Sequence, residues 1–457
     1  MQRRTFVKAL ATTSVLGLGM TSARAKTKDT QVSNSHRLSG KEFFLTIDYQ
    51  SVNITGNTAI ATTINHQLSG PTLVWQEGET ITIHVKNNLK KTSSIHWHGI
   101  ILPTEMDGVP GLSFDGIPSG ETFTYKFKVQ QHGTYWYHSH SGFQEQTGVY
   151  GAIVIKPKKK APFKVDKDYV VLLSDWSDEQ PNSVYRKLKQ MSDYYATSQR
   201  TVGNFFDEVK KDGLASAFSN RKMWNEMRMS DGDLSDVTGS TYTFLMNGKN
   251  PDTQFKALFK QGEKIRLRFI NAAAMTFFDV RIPHLKMTVV ASDGNYVKPV
   301  SIDEFRIGVA ETYDVIVEPK SHEAYAIFAQ SIDRSGYALG ALTPKMSLLA
   351  KAPKMDAVPV LTHTDMGMNM GSMKKTEETS MKCSSGMDMK KSTVKKMKFA
   401  KMEAQKYPIT PLPFKRGLHT TMKAMSPQYR LDDAGVGLRN NGRKVLTYAD
   451  LRNLYST

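Results

Sequence analysis

Four of the chain's 12 histidines stand in two His-x-His pairs, His96 and His98 in "SSIHWHGIILPTEMDGVPG" and His138 and His140 in "GTYWYHSHSG". On a strand, residues i and i+2 project to the same face. His96 and His98 are therefore expected to point together, with Trp97 on the other side, and His138 and His140 likewise around Ser139. If the two strands lie side by side, four imidazoles meet on one patch. That is poor core filling, because each buried ring needs partners for two nitrogens. It suits a metal site, since neutral imidazole is a preferred ligand of copper and zinc, and spacing alone does not separate the two.

The elements that must hold these pairs are legible as strands. In "ITIHV", Ile81, Ile83 and Val85 share a face. In "TFTYKFKV", Phe123, Tyr125, Phe127 and Val129 alternate with Thr124, Lys126 and Lys128. Such alternation, broken by Gly, Pro and Asn, predicts half-buried strands packed as a sandwich or barrel over 40–160, closed by "GAIVI" and followed by the basic "KPKKKAP". A second strand-rich unit is expected over 165–353, where "KIRLRFINA" alternates Ile265, Leu267 and Phe269, and "YDVIVEP" alternates Tyr313, Val315 and Val317. Within it, Phe205, Phe206, Val209, Leu214 and Phe218 recur at helical steps, predicting a helical insert over about 204–229 with Asn204 as its N-cap. From 354 to 430 methionine and lysine crowd in and aromatics nearly vanish, the composition of an open linker. Residues 431–457 carry too few apolar side chains for a domain of their own.

Length and composition bound the rest. A chain of 457 residues with 39% hydrophobic and 10% aromatic content is expected to fold as two or three domains. The first 25 residues read as a signal peptide: Arg3 and Arg4, then a short apolar stretch, then Ala23-Arg24-Ala25. The paired arginines match the twin-arginine export signal, which predicts a periplasmic protein. Formal charge is +18. No zinc finger, aromatic RNA-binding strand or recognition helix accompanies it, so nucleic acid is not the expected partner. The single cysteine, Cys383, excludes an intrachain disulfide.

Taken together, "HWHGI…MDGVPG" and "GTYWYHSHSG" resemble the first cupredoxin domain of the multicopper oxidases. The twin-arginine leader, "LLSDW", "RKMWNEMRM", "FLMNG", "GVGLRNNGRKVLTYADLRNLY" and the methionine-rich linker extend the resemblance to the copper resistance protein A branch. It implies an all-β fold of two cupredoxin-like Greek-key β-sandwich domains, the second with the helical insert. It implies copper: His96 on a type 2 ion, and His98, His138 and His140 on a type 3 pair. It also gives Asp107 a proton-relay role toward O2, with Cu(I) or phenolic compounds as donors. The family's third cupredoxin domain brings a His-x-x-His-x-His run and a His-Cys-His run carrying the type 1 copper. Neither run occurs in this sequence, and Cys383 has no histidine beside it. The chain is expected to be truncated before the third cupredoxin domain and inactive as an oxidase without it, with residues 431–457 a remnant leading to that domain. The expectation is then a half-complete cluster with the type 1 site absent. A separate chain carrying the third domain would complete it, or the protein would bind copper without turnover. The thioethers of Met366, Met368, Met370, Met373, Met387 and Met389 are soft donors suited to Cu(I) and are candidate capture ligands.

Overall fold

The strand alternation anticipated above is realised in four sheets. The computed structural model describes residues 37–227, 229–367, 424 and 429–455. The proposed leader, Cys383 and most of the methionine-rich tract lie outside them.

The first sandwich pairs a five-stranded sheet with a four-stranded one. The former runs in the order Arg37–Ser39, Gly70–Gln76, Tyr150–Lys156, Gly133–His138, His96–His98. The latter runs Thr58–Ile64, Glu42–Asn53, Thr80–Asn87, Thr122–Lys128. Neighbours in space are mostly not neighbours in sequence, so the chain repeatedly crosses between sheets, and Glu42–Asn53 lies parallel to Thr80–Asn87. Ile81, Ile83 and Val85 are fully buried and share a core with Phe43, Trp75 and Trp97. This is the face that alternation assigned to them.

The second sandwich joins a six-stranded sheet built around Lys167–Trp176, Ile265–Asn271 and Thr312–Val317 to a five-stranded sheet that includes Phe278–Arg281, Tyr325–Ser331 and Tyr337–Thr343. Strand Ile265–Asn271 departs from a half-buried pattern, because every residue in it is buried. Ile265, Leu267 and Phe269 enter the core, while Arg266 and Arg268 face the first sandwich. There Arg268 donates to Thr134 Oγ1 at 2.8 Å and pairs doubly with Asp168, and Arg266 pairs with Asp314. Thr134 in turn donates to Asp314 at 2.7 Å. Trp136, Tyr150 and Ala152 pack on Leu172, Ile270 and Ala272 beside this network. Since Thr134 and Trp136 sit on the strand that ends in His138, the seam between the sandwiches fixes one histidine strand from behind.

The helical insert differs from its prediction. Three helices form, α1 (Pro181–Gln190), α2 (Val202–Asp212) and α3 (Leu214–Glu226). Thr201, not Asn204, is the N-cap of α2. Its hydroxyl accepts from Asn204 N at 3.2 Å, and Asn204 Oδ1 accepts from Thr201 N at 2.8 Å. Gly213, at φ +82°, then separates α2 from α3, a backbone value that glycine adopts freely. Phe206, Leu214 and Phe218 of the anticipated apolar face are exposed, whereas Trp224 is buried.

Residues 429–455 lie along the second sandwich. Leu438 and Leu446 are buried, Val445 bridges to Glu304, and Arg443 donates to Glu304 at 2.6 Å. Before the tract, Asp356 accepts from Arg281 at 3.1 Å and Gln330 at 2.7 Å, so the beginning of the expected linker is anchored rather than open.

Candidate metal centre

The short strand His96–His98 pairs antiparallel with Gly133–His138, placing His96 opposite His138 and His98 opposite Trp136. Trp97 turns into the core against Trp75 and Tyr125, as the i, i+2 argument requires. The second pair needs a correction: its strand ends at His138, and His140 lies in the loop beyond. One side-chain and one backbone hydrogen bond deliver it instead. Ser94 Oγ accepts from His140 N at 3.0 Å, and Ser139 N bonds Val149 O at 3.0 Å. Gln144 ties the loop down, accepting from Ser93 at 2.7 Å and Ser139 at 3.0 Å while donating to Thr92 O at 2.9 Å.

All four rings converge. One nitrogen from each of His96, His138 and His140 lies within 4.8 Å of the others, and His98 Nδ1 is 3.2 Å from His138 Nε2. The ring orientations are fixed from outside the cluster. His96 Nδ1 donates to the backbone carbonyl of Asp107 at 2.7 Å, which leaves its Nε2 as the free lone pair. His138 Nδ1 donates to Glu145 Oε2 at 3.0 Å, which turns its Nε2 lone pair into the cluster, toward His98 Nδ1. The turn "MDGVPG" brings that carbonyl in: a Cβ on Gly108 would stand 1.8 Å from Ile95 O, so only glycine permits the approach. Trp136, almost wholly buried, stacks on His138 with centroids 4.0 Å apart and planes at 10°, and also on His98 at 5.0 Å.

Burial pushes the His98 pKa down to about 4, reinforced by the charge that protonated His138, His96 and His140 would carry. Burial also lowers His96 and His140. These rings are therefore neutral near pH 7, the form that ligates. Two imidazoles on one ion with bonds of about 2.0–2.1 Å have nitrogens roughly 2.9–3.4 Å apart. The 3.2 Å separation of His98 and His138 fits that spacing. A nitrogen-only donor set with carboxylates behind it fits a copper or zinc ion.

Comparison with known proteins separates these metals. Two family descriptions, both reading multicopper oxidase, match residues 46–160 and 167–345. The chain is 52% identical over 460 residues to the copper resistance protein A homolog of Pseudomonas syringae pv. tomato, covering 99% of this chain and 78% of the relative. It is 51% identical to copper resistance protein A of Escherichia coli, with the same coverage. The chain belongs to the multicopper oxidase family. Its relatives place it in the copper resistance protein A branch, and the family implies copper as the cofactor. A laccase from Botrytis aclada, 27% identical, superposes over 71% of this chain and 56% of its own with a TM-score of 0.53. The two sandwiches are thus cupredoxin-like, as the sequence resemblance implied.

For a multicopper oxidase, the site residues divide as follows. His96, His98, His138 and His140 come together. Asp107 reaches His96 first through its carbonyl, and its carboxylate stands 3.4 Å from His96 Nδ1 at the solvent edge. Met366 lies in the turn after Thr362, a segment tied to the loop beyond α3 by Leu361 N bonding Asp231 O at 2.7 Å. Met368, Met370, Met373, Met387 and Met389 lie outside the described residues. Sequence reasoning missed Glu145, Gln144, Ser94 and Trp136. An acidic residue close behind the second pair, in a loop bounded by Gly142 and Gly148, was the available signal for Glu145.

Among the described residues, no helix is long and apolar enough to cross a membrane.

Proposed function

We propose that this chain is the two-cupredoxin portion of a periplasmic multicopper oxidase of copper resistance, exported by the twin-arginine route and oxidising Cu(I) or phenolic donors with O2. The domain limits expected from sequence, 40–160 and 165–353, belong to the same proposal. The observation that carries it is the convergence of His96, His138 and His140 within 4.8 Å, with His98 in contact with His138.

In this reading His96 is a ligand of the type 2 copper, and His98, His138 and His140 are ligands of the type 3 pair. Copper, when bound, supplies the one-electron steps that reduce O2. The chain's own residues hold and orient. Asp107 O and Glu145 fix the tautomers of His96 and His138, Trp136 keeps two rings in plane, and Ser94 holds the His140 backbone. In the same reading the Asp107 carboxylate passes protons between solvent and the cluster, a role supported by its partial exposure and its 3.4 Å approach to His96. Four imidazoles leave two or three coppers short of ligands, and the sequence contains no His-Cys pair for a type 1 site. The remaining ligands must come from a further cupredoxin segment, on a longer form of the protein or on a separate chain.

The second reading, sequestration without turnover, is favoured by the exposure of His140 and by the many methionines. Oxygen uptake by the copper-loaded chain, with Cu(I) and then a phenol as donor, decides between them. Copper-dependent uptake, alone or on adding the further cupredoxin segment, supports the oxidase. Copper retained through dialysis with no uptake in either case supports sequestration.

A further inference from the structure

Glu145 orients His138, and the loop that carries Glu145 is held from two sides. On the first sandwich Gln144 is tied to Ser93 and Thr92, and Thr62 N donates to Thr147 O at 2.9 Å. Gly148 allows that approach, since a Cβ there would stand 2.5 Å from Thr62 O. Between these anchors lies Gln146, next in sequence to Glu145, and its amide turns to the second sandwich. Gln146 Oε1 accepts from the Tyr242 hydroxyl at 2.6 Å, and Gln146 Nε2 donates to Asp175 O at 3.2 Å.

Both partners are firmly placed. Tyr242 is 6% exposed and packs in the core of the second sandwich, its ring edge-on to Phe244. It precedes strand Thr243–Met246, which pairs antiparallel with Lys167–Trp176 and sets Thr243 opposite Trp176. Tyr242 and Asp175 therefore reach Gln146 from the ends of neighbouring strands. Asp175 is buried as well, and its carboxylate accepts from Ala274 N at 3.1 Å and Thr276 Oγ1 at 2.7 Å. Burial, then the charge of Asp175, raises the Tyr242 pKa well above the ordinary phenol value, so its hydroxyl remains a donor. A buried phenol needs a partner for its proton, and an amide engaged at both oxygen and nitrogen has a fixed orientation. From Gln146 the backbone passes directly to Glu145, whose Oε2 accepts from His138 Nδ1 at 3.0 Å.

We propose that Tyr242 is a positioning residue for the histidine cluster. Through Gln146 it fixes the turn that aims Glu145 at His138 Nδ1, so the second sandwich sets the tautomer of a ligand carried by the first. The assignment rests on the reading of the four histidines as a copper cluster, and it adds a hold that crosses the seam to the local ones at Gln144 and Ser94. A bond that merely joined the sandwiches would have no such effect. The Tyr150 hydroxyl donating to Ser174 Oγ at 2.9 Å is a bond of that kind, since it crosses the same seam without passing through Glu145.

Two readouts test it on the full chain. In the copper-free protein, labelled at the imidazole nitrogens and held at mildly alkaline pH, NMR reports which nitrogen of His138 carries the proton. In the loaded protein, competition against a chelator gives the Cu(II) affinity of the four histidines. Tyr242→Phe should turn His138 from an Nδ1–H ring into a mixture of tautomers. It should also weaken Cu(II) binding by about three- to tenfold, less than the 10–100-fold of a carboxylate bonded directly to the ligand. Gln146→Ala, at a partly exposed site, should reproduce both changes and serves if Tyr242→Phe does not fold. In a Glu145→Ala background Tyr242→Phe should cost nothing further, because its route to His138 is gone. Ser174→Ala should leave both readouts at their wild-type values. An unchanged His138 signal in folded Tyr242→Phe, an equal change in Ser174→Ala, or a full additional loss in the Glu145→Ala background would overturn the assignment. Wild-type chain that holds no Cu(II) at the histidines would sink the oxidase reading instead, and the His138 nitrogen signals would still decide the role of Tyr242.

Discussion

Replacing Glu145 tests whether the histidine cluster is held from behind in the way its geometry indicates. Glu145 Oε2 accepts from His138 Nδ1 at 3.0 Å, with the histidine side chain 8% exposed and the glutamate 26%. A hydrogen bond to a charged group in such partly buried surroundings contributes about 1.5–3 kcal/mol. It strengthens when metal on Nε2 makes the Nδ1 proton more acidic, so most of its value appears only in the loaded state. Glu145→Ala should therefore weaken Cu(II) binding by about 10–100-fold, the range found for carboxylates behind ligating histidines. Glu145→Gln, which keeps an acceptor but not the charge, should fall roughly midway between. Asp107→Asn is the internal control. Because a backbone carbonyl holds His96, at 2.7 Å, that substitution should change affinity by no more than about threefold. Competition against a Cu(II) chelator at fixed pH measures all three, with thermal unfolding of the metal-free variants checking that the fold is retained. Equal losses for Glu145→Ala and Asp107→Asn, or no loss for Glu145→Ala, would refute the argument that these outer contacts set the ligand tautomers.

Three further outcomes follow from the same structure. Asp314→Ala leaves Arg266 and Arg268, each 6% exposed, without their shared carboxylate, and should cost about 3–5 kcal/mol in chemical denaturation. A loss under 1 kcal/mol would mean that the seam between the sandwiches is wetter than it looks. The hydrogen bond from Arg439 lowers the Asp433 pKa to about 2. Against an unfolded value near ~3.9, a depressed carboxylate adds stability that is complete above that value and fades as pH falls toward 2. Amide exchange in residues 431–446, corrected for intrinsic rates, should therefore lose protection between about pH 4 and pH 2 in wild type but show no such step in Asp433→Asn. Thr201→Ala removes the α2 cap and should cost about 1 kcal/mol, seen as faster exchange within α2. An unchanged exchange rate there would return the cap to Asn204.

The first histidine pair was legible because i, i+2 geometry is local, and a strand needs no knowledge of its neighbours to point two rings one way. The second pair was legible in its residues but not in its geometry, since the strand stops at His138. What holds the rings was not legible. His140 depends on Ser94, Asp107 acts first through a carbonyl that any residue would supply, and Glu145 matters only because its loop folds back on His138. The same limit applies to the fold. Alternation identified the core faces of 81–85 and 265–269, but Arg266 and Arg268 look like solvent-facing residues until the first sandwich covers them. Likewise, Phe206, Leu214 and Phe218 have helical spacing yet remain exposed, because Gly213 splits the expected helix and Trp224 supplies the buried contact. A residue pattern records which face is apolar, not what comes to lie against it. That distinction bears on the chemistry. The donor atoms can be named from sequence, but their free lone pairs follow from contacts made 7 residues away at Glu145 and 11 at Asp107. Those contacts, more than the histidines themselves, are where variants should separate metal binding from folding.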